Sequence, residues 1–224
     1  MIKDIIIAID GNSACGKSTT SRLVANYFNY KYLDSGAMYR AVSLFFLNNK
    51  ILPNQVLNNI DQLNNIHIEF KSKGNLQFTY LNGKNVEREI RSDKISSLVS
   101  SYSSISVVRK LLVKNQKLIG KNKKIVVEGR DITTVVFPNA DIKFFMTADI
   151  EVRARRRYEE MRVSNNKISL SEIRKNLDDR DKEDSSRKDS PLTVSNQAII
   201  IDTSYLKIDD QVNKIIKIIE EKFS

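Results

Sequence analysis

Short runs of consecutive apolar residues alternate with segments in which apolar residues recur every three or four positions. The first run, residues 5–10, ends in an acid and predicts a strand buried on both faces. Beyond Gly16 the spacing becomes helical. Four further buried strands are predicted at 31–33, 125–128, 142–146 and 198–202. Because helical patterns separate most of these strands, we predict an α/β protein of three layers, α/β/α, around a five-stranded parallel sheet.

A different pattern interrupts this alternation. Three short strands are predicted at 66–70, 77–81 and 85–87. Asn82-Gly83 lies between the last two and is typical of a two-residue hairpin turn. Parallel strands cannot be joined by such a turn, so we expect a small antiparallel insert.

The second half of the chain predicts two further features. Charge is dense between Asp149 and Pro191, where two helical patterns meet and a second insert is expected. Ser169 and Glu172 have capping-box spacing and predict the start of the latter helix. Apolar residues at helical spacing from 208 to 223 predict a closing helix on the sheet.

Composition narrows the class of protein only slightly. The chain has 224 residues, a net charge of +10, one cysteine and one histidine, so an internal disulfide and a His/Cys metal cluster are excluded. The lysines are scattered, and the charge alone is weak support for a nucleic-acid partner. Without a long apolar run or a signal-peptide pattern, we expect a cytoplasmic protein that does not bind membranes.

Residues 11–18 read Gly-Asn-Ser-Ala-Cys-Gly-Lys-Ser and match the Walker A pattern in full. A buried strand precedes them and an amphipathic helix follows, which is the context of a phosphate-binding loop. Lys17 is expected outside the core, where it can reach the β- and γ-phosphates, and the Ser18 hydroxyl can ligate Mg²⁺. The predicted ATP-binding residues are Gly11, Asn12, Ser13, Ala14, Cys15, Gly16, Lys17, Ser18 and Thr19.

Polar clusters follow two of the other predicted strands, at the sheet edge where open α/β proteins bind ligands. Residues 34–40 contain Asp34, Ser35 and Arg40, which could equally be a helix cap and a surface charge. Residues 128–131 read Glu-Gly-Arg-Asp, and such charges are costly to desolvate without partners. Residues 178–187 are also dense in Asp and Arg, which is common on a solvated helix.

In order and spacing, the chain resembles the bacterial cytidylate kinase family over nearly its whole length. The segments that carry the resemblance are the loop at 11–18 and residues 33–40, 127–131, 134–138, 153–157, 178–181 and 191–192. The resemblance implies transfer of a phosphoryl group from ATP to CMP or dCMP. It also implies a P-loop kinase domain with a core at 1–36, 110–149 and 190–224, a nucleotide-monophosphate-binding insert at 37–109 and a helical lid at 150–189.

The resemblance also implies roles for individual residues. CMP would be bound by Ser35, Arg40, Arg109, Arg130, Asp131, Arg180, Asp184 and Arg187. The transfer would depend on Lys17, Arg130, Arg180, Arg153 and Arg157. Mg²⁺ would be held by Ser18, with Glu128 as a further ligand through water. A monomer that binds no nucleic acid is expected.

Two other functions fit part of the pattern. One is a P-loop kinase for another small substrate, such as thymidylate, adenylate or a sugar-like alcohol. Asp131 beside Arg130 argues for a substrate base with an exocyclic amine, because a carboxylate can accept a hydrogen bond from that amine. The other is a basic P-loop ATPase or GTPase that binds nucleic acid. Against it, the sequence contains no Asn/Thr-Lys-x-Asp guanine motif and no basic patch interleaved with aromatic residues.

Overall fold

A computed structural model describes residues 4–74, 76–162 and 168–223. The chain forms two compact units, one of Met1–Leu33 with Asn122–Ser224 and one of Asp34–Lys121. Residues 163–167 of the predicted lid lie outside the described residues.

The described residues form eight strands. They are β1 (Ile6–Gly11), β2 (Lys31–Asp34), β3 (Ile68–Lys73), β4 (Leu76–Leu81), β5 (Lys84–Asn85), β6 (Ile125–Gly129), β7 (Ile142–Thr147) and β8 (Ile199–Asp202).

The same residues form seven α-helices. They are α1 (Lys17–Tyr27), α2 (Ser35–Asn48), α3 (Asp93–Ser103), α4 (Ser106–Ile119), α5 (Ile150–Arg162), α6 (Leu170–Ser186) and α7 (Ile208–Phe223). Residues Pro53–Asn65 form 3-10 turns interrupted by a kink at Asn59, and short 3-10 segments cover Glu89–Arg91 and Gly120–Asn122. A π-helical turn covers Ile132–Val136.

The first unit is built on a five-stranded parallel sheet in the order β2-β6-β1-β7-β8. Strand β1 lies at its centre and pairs Asp10 with Gly129 on one side and with Phe145 on the other. The predicted parallel sheet is therefore confirmed. Central strands are covered on both faces, which explains why their sequences are apolar runs without alternation.

The core of the first unit lies between this sheet and two helices. Buried residues of β1 and β7, such as Ile7 and Phe144, form one cluster with Val24 of α1 and Ile215 of α7. The predicted closing helix is confirmed as α7. A smaller cluster joins α5 and α6 through Ala154, Ile173 and Leu177.

The second unit contains a three-stranded antiparallel sheet in the order β3-β4-β5. Asn82 and Gly83 have φ values of 49° and 80°, the left-handed conformation that a two-residue hairpin turn needs. The predicted hairpin is therefore confirmed. Strand β5 is only two residues long, shorter than predicted, because the chain enters a 3-10 turn at Glu89 soon after it.

The capping box at the start of α6 is also confirmed. The Ser169 hydroxyl accepts a hydrogen bond from the Glu172 N–H at 3.2 Å, and the Glu172 carboxylate accepts one from the Ser169 N–H at 2.8 Å. Within the described residues, no helix combines the length and the apolar character needed to cross a membrane.

Candidate active site

The phosphate-binding loop begins where β1 ends against β7. Gly11 has a φ of 155°, and a Cβ at this position would lie 2.0 Å from the Met146 carbonyl oxygen. Only glycine allows this approach of the two strands. The Asn12 N–H then donates to the same carbonyl at 3.3 Å, which turns the chain out of the sheet. The loop therefore starts at the carboxyl edge, where its N–H groups can face an anion.

The end of the loop is fixed by α7. Gly16, at the N-cap of α1, has a φ of 88°, and a Cβ there would lie 2.8 Å from Gln211 Oε1. Gln211 is fully buried and accepts a hydrogen bond from the Thr20 hydroxyl at 3.0 Å. Ser18 and Thr19, in the first turn of α1, are exposed. The positive end of α1 thus lies directly after the loop.

Lys17 is buried, although it is not one of the hydrophobic core residues, as expected. Its Nζ is 3.2 Å from Glu128 Oε2, and both side chains are less than a tenth exposed. Glu128 Oε1 accepts a hydrogen bond from the Tyr32 hydroxyl at 2.7 Å. Because β6 lies next to β1 in the sheet, Glu128 comes close to the loop although 111 positions separate it from Lys17 in the chain.

Arg130 follows β6 and is held by three groups. Its Nε donates to Asp184 Oδ2 at 2.9 Å, its Nη2 to the Ser13 hydroxyl at 2.6 Å and its Nη1 to the Gly129 carbonyl at 3.4 Å. The side chain is 18% exposed. A charged, oriented guanidinium therefore lies beside the phosphate loop.

Asp184 on α6 is the common partner of three predicted CMP-binding arginines. Besides Arg130, it accepts from Arg187 Nη1 at 3.1 Å and lies 3.9 Å from Arg180 Nε. Burial raises the pKa of the Asp184 carboxyl, but the charges of the three arginines outweigh burial and hold the pKa below its usual value. One carboxylate thus gathers three arginines that would otherwise repel one another.

The two predicted arginines of α5 are placed differently. Arg153 is buried and donates to Asp181 at 2.6 Å and to the Ser13 carbonyl of the loop at 3.3 Å. Arg157 pairs with Glu160 on its own helix at 3.2 Å and is 36% exposed. The structure therefore brings Arg153 to the loop and leaves Arg157 on the helix surface.

In the second unit, Asp34 caps α2 and anchors an arginine. Its Oδ1 accepts from the Ala37 N–H and its Oδ2 from Arg91 Nη2, both at 2.8 Å. Burial raises the pKa of Asp34, but Arg91 and Arg40 outweigh it and hold the pKa below its usual value. A Cβ at Gly36 would lie 3.0 Å from Arg40 Nη1, so glycine leaves room for that guanidinium.

The two remaining predicted residues of this unit are also buried. Ser35 is the first residue of α2 and is 3% exposed. Arg109 on α4 is 4% exposed, donates to the Ser103 carbonyl at 2.9 Å and lies 5.3 Å from the centre of the Tyr39 ring. Tyr39 adjoins Arg40 on α2, so the unit brings Arg109 towards the helix that carries Ser35 and Arg40.

A buried acid for which the sequence predicts no role lies directly before the loop. Asp10 is fully buried and accepts hydrogen bonds from the Ile132 N–H at 2.9 Å, the Thr133 N–H at 2.7 Å and the Thr133 hydroxyl at 2.6 Å. Burial raises the pKa of Asp10 from 3.8 to about 6, although the hydrogen bonds from Thr133 and Ile132 lower it. The only sequence signal was an acid at the end of an apolar run.

The raised pKa of Asp10 predicts an unusual pH dependence. Since the folded protein holds this proton more tightly than the unfolded chain, the stability that Asp10 contributes is full below pH 3.8 and is lost as the pH rises to about 6. We expect the free energy of unfolding of wild type, relative to Asp10→Asn, to fall by about 3 kcal/mol between pH 3.5 and 7.

Denaturant unfolding of both proteins across this pH range measures the effect. Acids whose pKa is lowered, such as Asp184 and Asp34, destabilise the folded protein when they are protonated at low pH. This contribution is the same in both proteins and cancels when their free energies of unfolding are subtracted. A difference that stays constant with pH would show that Asp10 titrates normally.

The loop, the parallel sheet and the arginines beside the loop define the class. The first unit is a P-loop nucleotide-binding domain whose arginines can face a second phosphate-bearing ligand.

Comparison with known proteins identifies the family. The family model for cytidylate kinase matches residues 7–221. Cytidylate kinase of Flavobacterium johnsoniae is 44% identical over 225 residues, covering 98% of each chain. That of Flavobacterium psychrophilum is 45% identical over 223 residues, covering 97% of this chain and 99% of the relative. The chain belongs to the cytidylate kinase family.

A solved structure supports the fold. The crystal structure of an uncharacterized protein from Eubacterium ventriosum matches with a TM-score of 0.54 and 14% sequence identity, covering 96% of this chain and 98% of the other. At this identity the match concerns the fold alone.

Proposed function

We propose that the protein transfers the γ-phosphoryl group of ATP to CMP or dCMP, giving ADP and CDP or dCDP. The observation that carries the proposal is Arg130, which is bonded both to Ser13 of the phosphate loop and to Asp184 of α6. A guanidinium in this position can bind an acceptor phosphate beside the ATP phosphates. Membership of the cytidylate kinase family indicates that the acceptor is a cytidine monophosphate.

The residues of the first unit have separate proposed roles. Residues 11–19 bind the ATP phosphates, and Lys17 moves from Glu128 towards the γ-phosphate as charge develops there. Arg130 and Arg180 bind the CMP phosphate, and Asp184 and Arg187 contact the nucleoside. A phosphate oxygen is the nucleophile, so alignment and charge neutralisation suffice and no general base is needed.

The same proposal assigns two arginines of α5 to the transferred phosphoryl group. Arg153, bonded to the Ser13 carbonyl, is already near the loop. Arg157 would have to leave Glu160, and its exposed surface pair costs little to break. Together with α6, this helix belongs to the proposed lid at 150–189, which excludes water during transfer.

Magnesium is proposed as the metal cofactor. Among the described residues, no group of three or more His, Cys, Asp or Glu could hold a metal by itself. This fits Mg²⁺, which keeps several waters and depends on substrate phosphates. Ser18, exposed in the first turn of α1, would supply a hydroxyl ligand, with Glu128 as a further ligand through water. Bound Mg²⁺ would neutralise charge on the β- and γ-phosphates.

For the second unit, we propose that Ser35, Arg40 and Arg109 take part in CMP binding. The proposal assigns residues 37–109 to a nucleotide-monophosphate-binding insert and residues 1–36, 110–149 and 190–224 to the core. We further propose that the protein is a cytoplasmic monomer that acts on free nucleotides and binds neither nucleic acid nor membranes.

A coupled assay for ADP tests the reaction. We expect ADP formation with CMP and dCMP and little with AMP or TMP, at equal ATP and Mg²⁺. The same protein is assayed for ATP hydrolysis with and without nucleic acid. A higher rate with another monophosphate, or stimulation by nucleic acid alone, would replace this function with one of the two alternatives.

Base selection gives a sharper test. Asp131 is 2% exposed and lies at the N-terminus of the π-helical turn, which its side chain does not cap. A carboxylate can accept from the cytosine amine and repels the uracil carbonyl. For Asp131→Ala we expect kcat/KM with CMP to fall and kcat/KM with UMP to fall less or rise, changing the ratio at least about tenfold.

Steady-state rates with both nucleotides measure this ratio. Asp131→Asn is a second variant of nearly the same volume that replaces one acceptor oxygen by an NH₂ donor, which can bond to the uracil carbonyl, so we expect its ratio to shift towards UMP as well. An unchanged CMP-to-UMP ratio in both variants would show that Asp131 does not contact the base.

A further inference from the structure

Asp10 holds both ends of the segment that carries two proposed CMP-binding residues. Its main chain pairs with Gly129 at the end of β6, and its carboxylate binds Ile132 and Thr133. Only Arg130 and Asp131 lie between these two attachments. A two-residue segment fixed at both ends by one residue has little freedom to change its direction.

The Asp10 carboxylate accepts more hydrogen bonds than are needed to satisfy the first N–H groups of the π-helical turn. The first N–H groups of a helical turn lack partners within the turn, and one side-chain acceptor can satisfy them. Asp10 accepts two of these N–H groups and, in addition, the Thr133 hydroxyl at 2.6 Å. The Thr133 side chain is therefore oriented as well, and it is 1% exposed.

Asp10 also lies immediately before Gly11, the first residue of the phosphate loop. The strand that places the loop therefore also fixes the segment with Arg130 and Asp131. A buried acid is costly even with good partners, and an apolar residue would be the ordinary choice in the middle of this sheet. The free-energy cost of burying Asp10 is explained if its carboxylate sets the position of the segment that carries Arg130 and Asp131.

We propose that Asp10, with Thr133, is a positioning residue that sets Arg130 and Asp131 for the monophosphate substrate. The inference rests on the proposed function, because it takes these two residues as the CMP contacts. It adds a residue that touches neither nucleotide. A weaker attachment at Thr133 is expected to impair CMP binding while the phosphate loop, attached through β1 itself, still binds ATP.

Thr133→Val tests the inference, because it removes the hydroxyl bond and leaves both N–H bonds to Asp10. We expect the CMP dissociation constant and KM to rise by up to about tenfold, because the free energy of one hydrogen bond to a charged acceptor bounds what CMP binding can lose through this segment. The ATP constants and kcat are expected to stay within about twofold. Thr133→Ser restores the hydroxyl and is expected to restore CMP binding.

Calorimetric binding of CMP and of ATP is measured beside steady-state rates and the thermal midpoint. Unchanged CMP binding in Thr133→Val, or equal weakening for both nucleotides, would overturn the inference and leave a purely structural role. If wild type binds CMP without phosphorylating it, the proposed reaction is wrong. The change in CMP affinity relative to ATP affinity in Thr133→Val still tests the positioning role of Asp10. If wild type binds no CMP, both fail.

Discussion

Lys17→Ala is expected to lower kcat by at least about 100-fold, the usual loss when one preorganised charge at a transferring group is removed. Lys17 is the first residue of α1, and its ammonium lies at the end of the phosphate loop. In the structure it pairs with Glu128 at 3.2 Å, within reach of the loop it is proposed to serve. No other lysine lies within residues 11–18 to replace it.

The variant is also expected to be less stable, because Lys17→Ala removes the ammonium that pairs with the buried Glu128 carboxylate. Lys17→Arg separates the two effects. It keeps a positive charge for Glu128, so its thermal midpoint is expected close to that of wild type, while its longer side chain displaces the charge from the γ-phosphate. Single-turnover rates with both variants measure the step, and near-normal turnover in either would falsify the role of Lys17.

Arg130→Lys is expected to raise KM for CMP by about 30-fold, although the charge is conserved. All three guanidinium nitrogens have partners in the structure, and Nε and Nη2 fix the plane of the group between Asp184 and Ser13. A single ammonium cannot bond to both and also bind a phosphate through two donors. KM for ATP is expected to change less than about threefold, because the loop's own N–H groups bind that nucleotide.

Arg174→Lys is the matched control for this substitution. Arg174 lies on α6, pairs with Glu151 and is 54% exposed, so the exchange is expected to be neutral. Asp184 keeps Arg187 and Arg180 in Arg130→Lys, and the fold is therefore expected to be retained. An equal rise of KM for CMP and for ATP would mean that Arg130 acts at the transferred group or supports the fold.

Locally encoded features of the fold were predictable from the sequence. The five buried strands, the Asn82-Gly83 hairpin and the capping box at Ser169 depend on side-chain period, backbone preference and hydrogen bonds between near neighbours. The hairpin, the capping box and the five parallel strands are confirmed by the structure. The prediction that all five strands are buried is wrong for the edge strand β8, where Ile200 is 59% exposed. The length of β5 was overestimated, because a strand pattern of three residues does not reveal where pairing stops.

The candidate site could be predicted where a motif carries its own chemistry. The phosphate loop was recognised because Gly11 and Gly16 are required by local geometry: close approach of a strand at the first, and a left-handed turn at the second. Arg130 and Asp131 were predictable because charged side chains at the end of a buried strand are costly to desolvate unless they have partners. These inferences concern residue types and their positions along the chain.

The sequence by itself determined the class of the protein, its loop and the family to which it belongs. Only the tertiary structure decided which side chains meet, such as Asp10 with Thr133, Arg130 with Asp184 and the buried Lys17 with Glu128. The physical reason is that these contacts join residues that are 123, 54 and 111 positions apart. They depend on β6 lying beside β1 and on where α6 packs, and a one-residue change of register would remove them.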